Sequence, residues 1–201
     1  MSKLNFDPII LTQTLVKCPS ITPKDEGALN VVHNHLSHLG FKCTHLTFSD
    51  QNSPDVDNLF ATIGSDGKHL AFAGHTDVVP PGNEESWKYP PFSATIAEGK
   101  LFGRGAEDMK SNIACFISAT NKFLSKYSSN FGGKLSFIIT GDEEGDAING
   151  TPKIMEWAKK MPIKHIWHED KGFRKCKILN KSLNSSKYKY IIFLDASKCH
   201  Q

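Results

Sequence analysis

The sequence predicts an α/β fold, a mixed sheet flanked by helices, and three observations carry that expectation. Short apolar runs alternate with stretches of helical periodicity, the order expected of layered α/β proteins. The run Leu135 to Ile139 is almost continuously apolar, as in a strand covered on both faces. A chain of 201 residues is long enough to bury one core.

The elements follow in order. Asp7-Pro8 opens a first helix, with the cap residue first and proline at the first helical position. Ile9, Leu11, Leu15 and Val16 give it an apolar face, and Pro19 stops it. Thr22 or Asp25 caps a second helix, whose face is Leu29, Val32, Leu36 and Leu39 and whose end is Gly40. Phe41 to Phe48 reads as a strand, Asn52 to Asp57 as a polar loop, and Asn58 to Ile63 as a second strand. After the turn Ser65-Asp66-Gly67, His69 to Ala73 is a third. Pro80 to Phe92 is a long loop with four prolines, and a loop of that length beside a site is usually functional. Ala94 to Ile96 and Leu101-Phe102 form a short hairpin through Glu98-Gly99. Met109 to Tyr127 is helical, with Ile113, Phe116, Ile117, Thr120 and Leu124 on one face. Gly150-Thr151-Pro152 starts a last helix that runs to about Lys160. Beyond it, Tyr190 to Leu194 is the one run with strand character.

Composition narrows the function classes. The net charge of +3 is too small to argue for a nucleic-acid partner. Its distribution is uneven: residues 1–160 hold 15 Lys+Arg against 18 Asp+Glu, a balance of −3, and residues 161–201 hold 9 against 3, a balance of +6. Such a shift marks a candidate boundary. The five cysteines are odd in number and none is spaced C-x-x-C, so reduced thiols in a cytoplasmic protein are expected. No secretory signal and no apolar run of membrane-spanning length is seen, so no membrane partner is expected. Gly103-x-Gly105 lacks the third glycine of a dinucleotide fingerprint, and no G-x-S-x-G elbow is present.

The chemistry concentrates in three acidic motifs. His75-Thr76-Asp77 follows the third strand and places an imidazole and a carboxylate at a strand's carboxy end, where open α/β sheets keep their sites. A ligating histidine needs an acceptor to fix its tautomer, and Asp77 is a candidate for it. Asp108 lies in Gly103-Arg104-Gly105-Ala106-Glu107-Asp108-Met109-Lys110, just before a helix. It reads either as a helix N-cap or as a carboxylate bridging two cations, while Glu107 faces solvent. Glu143 and Glu144 follow Asp142 directly after the strand at Leu135. They read either as a solvated acidic turn or as a general base beside a metal ligand. Together the motifs suit a hydrolytic zinc site, with one metal or two. His33, His35, His38, His45 and His69 read as surface or packing residues.

These motifs, with Ser20-Ile21-Thr22-Pro23, the run from Gly74 to Gly82, and Trp87 with Pro90-Pro91-Phe92, resemble the M20 family of metallopeptidases and deacylases over about residues 4–160. The resemblance implies a zinc-hydrolase catalytic domain with two zinc ions, or cobalt in their place. It implies that His75 binds one metal, Asp108 bridges both, Glu144 binds the second, Glu143 is the general base, and Asp77 holds His75 in its tautomer. It implies a cis peptide between Asp108 and Met109. The branch most resembled hydrolyses N-succinyl-LL-2,6-diaminopimelate to succinate and LL-2,6-diaminopimelate in lysine and diaminopimelate biosynthesis. An acetylornithine-type deacylase and a non-enzymatic remnant that binds metal weakly are the alternatives. Family members are homodimers through a separate dimerisation domain, and they carry a Gly-Glu-Pro motif whose glutamate completes the first zinc site. Neither is found here, and Glu169 in His168-Glu169-Asp170 has a different context. The expectation is therefore a truncated catalytic domain over residues 1–162 and a poorly packed, non-family basic tail over 163–201. Such a chain is expected to be inactive on its own.

Overall fold

A computed structural model describes residues 4–65, 67–158 and, for the main chain alone, 190–194. Helices α1 (Pro8–Val16), α2 (Ala28–His38), α3 (Ser111–Tyr127) and α4 (Thr151–Ala158) surround strands β1 (Lys42–Asp50), β2 (Ser53–Gly64), β3 (Lys68–His75), β6 (Gly133–Thr140) and β7 (Tyr190–Leu194). Strands β4 (Thr95–Ala97) and β5 (Lys100–Phe102) form a separate hairpin. The main sheet has the order β1-β2-β6-β3-β7 and is mixed. Strand β2 is antiparallel to β1 and β6, whereas β3 is parallel to β6 and β7.

Local chemistry explains the helix starts. The Asp7 carboxylate accepts from Ile9 N and Ile10 N, satisfying two of the amides that a helix start leaves open. At α2 the work is done from upstream. Asp25 accepts from Gly27 N at 3.0 Å and Leu29 N at 2.7 Å, while Gly27 at φ +86° turns the chain into the helix.

Alternation along the strands sorts side chains between two layers. Leu59 and Ala61 of β2, and Phe137 and Ile139 of β6, face Leu11 and Leu15 of α1, Leu29, Val32 and Leu36 of α2, and Ile113 and Ile117 of α3. Phe60, Ala71, Ala73 and Ile138 face Ile154 and Met155 of α4. Phe137 is fully buried at the centre of the first layer, where truncation of a phenylalanine to alanine costs about 3–5 kcal/mol.

Two boundaries differ from the sequence reading. From Ser53 on, the expected loop from Asn52 to Asp57 belongs to β2, and only Gln51 and Asn52 form the turn. Val56 pairs with Phe48 and Asp57 with Thr47, so the polar residues lie on an edge hairpin that tolerates them on its open face. Helix α3 begins at Ser111 rather than Met109, because Asp108 and Met109 have non-helical φ of −115° and −133°. Glu169 and most of the expected basic tail lie outside the described residues; β7 is the part of that tail described. Among the described residues no helix is long and apolar enough to cross a membrane.

The parallel pairing of β3 with β6 positions the site. His75 and Thr140 are register partners at the carboxy ends of these two strands. The loops that follow, one with Thr76 and Asp77 and the other with Glu143 and Glu144, therefore leave the sheet side by side.

Candidate metal centre

His75 ends β3 with its imidazole 2% exposed and its two nitrogens facing different partners. Nδ1 lies 3.0 Å from the Asp77 main-chain oxygen and 3.5 Å from Asp77 Oδ1. With Nδ1 donating to these oxygens, Nε2 is left as the ligating nitrogen. Nε2 lies 3.1 Å from Asp108 Oδ1 and 3.8 Å from Glu143 Oε2. Ligand atoms of His75, Glu143 and Glu144 all fall within 4.8 Å of one another. Asp108 is about half exposed and meets His75 at that same Nε2.

Asp77 does more than orient the imidazole. It is buried, and its two carboxylate oxygens accept from Glu143 N at 3.2 Å and Glu144 N at 2.9 Å. One residue thus holds the histidine, through its main-chain oxygen and carboxylate, and, through the carboxylate, the loop that carries the two glutamates. Asp142 is buried too, accepts from Asn149 N, and shapes the same loop from below. Gly145 passes so close that a Cβ there would lie 2.6 Å from both Asp142 Oδ1 and Thr22 Oγ1.

The segment bearing Asp108 is irregular. Gly105 has φ +76°, and a side chain at that position would meet Val78 Cγ1. The Asp108–Met109 peptide is cis, as the resemblance implies. Asp108 does not cap α3, so its carboxylate is left for the site. Met109 is buried, and its sulfur accepts from His75 N at 3.4 Å. Upstream, Ser20 Oγ donates to Thr76 O at 2.6 Å and Val78 N donates to Ser20 O at 2.9 Å, which staples residues 20–22 under the His75 loop.

The electrostatics are those of a carboxylate cage around one imidazole. Burial opposes charge on His75, but the hydrogen bond and charge of Asp77, helped by Glu143, outweigh it and raise the imidazole to about 9. Burial pushes Lys110 down to about 8, against the pull of Cys18, Asp25 and Asp77. Three carboxylates that converge on one imidazole repel one another unless a cation sits among them. One nitrogen and several hard oxygens form a donor set suited to zinc and similar divalent ions. The residues present therefore fit a divalent metal.

All five residues singled out from the sequence come together: His75, Asp77, Asp108, Glu143 and Glu144. Glu107 is exposed, as expected. The tight triplet of ligating atoms contains Glu143 as well as Glu144, so proximity alone does not separate base from ligand. Asn58 and Asn149, both fully buried, were not anticipated. Asn58 Nδ2 donates to Asn149 O, and Asn149 Nδ2 donates to Ser53 Oγ and Pro54 O, which ties the loop after β6 to β2. Both asparagines resemble turn residues in sequence, and nothing local marks them.

Known proteins resemble this chain in sequence and in fold. The model of the peptidase family M20/M25/M40 matches residues 71–179, a span holding all five site residues. Two curated relatives, the succinyl-diaminopimelate desuccinylases of two strains of Methylorubrum extorquens, are 51% and 52% identical over 155 residues. The match covers 77% of this chain and 40% of each relative, so the chain spans about two fifths of their length. Among solved structures, human carnosine dipeptidase 1 superposes with a TM-score of 0.66 at 25% identity, over 77% of this chain and 35% of that one. An M20 family metallo-carboxypeptidase from Sulfolobus solfataricus gives 0.61 at 24% identity, over 77% and 34%.

Proposed function

The chain belongs to the peptidase family M20/M25/M40, and on that footing we propose that it carries the metal site of a desuccinylase acting on N-succinyl-LL-2,6-diaminopimelate. Family membership implies dependence on a divalent metal. We assign zinc, two ions per site, with cobalt able to replace it. The carrying observation is that the His75 imidazole, the Asp108 carboxylate and both glutamates meet at the ends of two parallel strands.

His75 and Asp108 would hold one metal, and Asp108 and Glu144 the other. The metals, when bound, would polarise the amide carbonyl and stabilise the charge that develops on it. Glu143 takes the proton from the attacking water and returns it to the departing amine. Asp77 holds the imidazole through Nδ1 and aligns Glu143 through its main-chain N–H. A cavity of about 210 Å³ beside this loop has Thr22, Ser53, Asp142 and Asp146 in its wall, an acidic setting for a substrate ammonium.

Catalytic zinc usually has three protein ligands. The assignment above gives each metal two, so the 201-residue polypeptide on its own is expected to bind metal and turn over poorly. The reading extends to a cytoplasmic protein with a small-molecule substrate, independent of nucleic acid and membranes, whose family relatives are homodimers. We keep residues 1–162 as the catalytic unit and 163–201 as a basic tail, of which β7, the part described, joins the sheet beside β3.

Two assays test this. Cobalt and zinc titrations should show uptake that is lost in His75→Ala. With metal bound, calorimetry should show N-succinyl-LL-2,6-diaminopimelate binding in preference to N-acetylornithine, with little succinate released. Preference for N-acetylornithine would move the assignment to that deacylase class. Metal uptake with no substrate binding would favour a non-enzymatic remnant. Fast turnover abolished by Glu143→Ala would overturn the inference that the ligands are too few.

A further inference from the structure

Lys110 takes no part in the chemistry above, yet it is 0% exposed. A buried ammonium is costly, and an unbranched apolar side chain would fill the same space more cheaply. What lysine adds is a donor. Its Nζ donates to Cys18 O at 2.8 Å.

That bond joins two segments that each lead to a metal-ligand candidate. On one side, Lys110 N donates to Gly105 O at 3.0 Å and closes the turn bearing Asp108. On the other, Cys18 O also accepts from Ser20 N at 2.8 Å, and Ser20 holds Thr76 O and Val78 N on either side of Asp77. Beside the direct contact of the Met109 sulfur with His75 N, a second path from the Asp108 turn to the His75 loop thus runs through Lys110, Cys18 and Ser20. The Asp108 turn is held by such ties from outside α3. Asp108 and Met109 are non-helical, so the hydrogen-bond ladder of α3 does not hold them.

We propose that Lys110 is a positioning residue that fixes the Asp108 carboxylate against the His75 loop through the Cys18 carbonyl. The proposal rests on the reading of Asp108 as a metal ligand. It places a residue with no contact to metal or substrate in control of the spacing between two ligands, and it assigns the same task to Ser20.

The test is cobalt binding to the 201-residue chain, followed by calorimetry and by the visible absorption of the bound ion. Wild type, Lys110→Met, Ser20→Ala and the double variant are compared, with urea unfolding as the check on folding. Lys110→Met should lower cobalt affinity at least about tenfold, the cost typical of losing a residue that supports a ligand. It should also change the absorption spectrum at saturating cobalt, which a general loss of stability would not. Ser20→Ala should act in the same direction, and the double variant should lose little more than Lys110→Met. If Lys110→Met does not fold, Ser20→Ala decides alone: an altered cobalt spectrum supports the tie, and a wild-type spectrum and affinity overturn it. Wild-type binding with Lys110→Met unchanged overturns the tie but leaves the metal site standing. Failure of the wild type to bind overturns the ligand reading and the tie with it.

Discussion

Asp77→Asn removes one charge from the middle of the site without changing the side chain's shape, and its consequences can be worked through. Each Asp77 carboxylate oxygen accepts one main-chain N–H, from Glu143 and from Glu144. An asparagine has a single acceptor oxygen, so one of those N–H groups loses its partner and faces another donor. A lost hydrogen bond to a charged acceptor costs about 1.5–3 kcal/mol. The loop that aims both glutamates loosens, and metal affinity should fall about 10–100-fold. The substitution also changes how affinity depends on pH. In the metal-free protein Asp77 is the main reason the His75 imidazole rises from 6.5 to about 9, a stabilisation of the imidazolium by about 3 kcal/mol. A metal binds only the neutral ring, so below about pH 9 wild-type binding must first expel that proton. Without the Asp77 charge, burial dominates and the ring is neutral down to the ordinary histidine range. The wild-type advantage should therefore be largest above about pH 9 and shrink about tenfold per pH unit below it. Zinc calorimetry from neutral pH upward, in buffers of different ionisation enthalpy, reads both the affinity and the proton release. Equal affinities above about pH 9, or a gap that does not change with pH, would refute the reasoning.

Other outcomes follow from the same geometry. In metal-free protein the His75–Asp77 contribution to stability is fully present below pH 6.5 and lost as pH rises through about 9, because the folded value is the raised one; the gap between the urea midpoints of wild type and Asp77→Asn should narrow across that window to what the lost main-chain hydrogen bond leaves. His69 runs the other way. Buried beside Ser136 and lowered to about 4, it contributes stability that is present above 6.5 and lost as pH falls through 4, so His69→Gln should flatten acid unfolding over that range. Gly145→Ala puts a Cβ 2.6 Å from Asp142 Oδ1 and Thr22 Oγ1; denaturation should show a loss of about 1–3 kcal/mol, and cobalt affinity should fall with it. Glu143→Gln should keep metal uptake while abolishing whatever succinate release the chain supports, measured over long incubations; a matching loss of metal would mean that Glu143 is a ligand.

The site motifs were legible because their chemistry is local. An imidazole and a carboxylate after an apolar strand, and two glutamates after another, can be read without knowing how the strands pair. What links them could not be read. Asp77 meets the Glu143 and Glu144 amides across 66 and 67 residues, and only the parallel pairing of β3 with β6 brings them together. Lys110 is fully buried, which nothing in its motif announced; Asp142 reads as part of a solvated turn and is buried as well. The start of β2 was missed because Pro54, Asp55 and Asp57 resemble loop residues. Asp55 and Asp57 alternate with the buried Val56 and Asn58, and Asn58 hides the period by placing an amide where an apolar side chain would be expected. Its amide nitrogen donates to three carbonyl oxygens, those of Leu46, Val56 and Asn149, a set that sequence order does not reveal.

The most direct test of the assignment is a crystal of the 201-residue chain grown with zinc, with anomalous diffraction collected at the zinc edge. The account predicts two peaks roughly 3.5–4 Å apart. Asp108 should lie between them, His75 Nε2 should bind one and Glu144 the other, and Glu143 should stand off both. A single peak held by His75, Glu143 and Glu144, or no peak at the ends of β3 and β6, would contradict it.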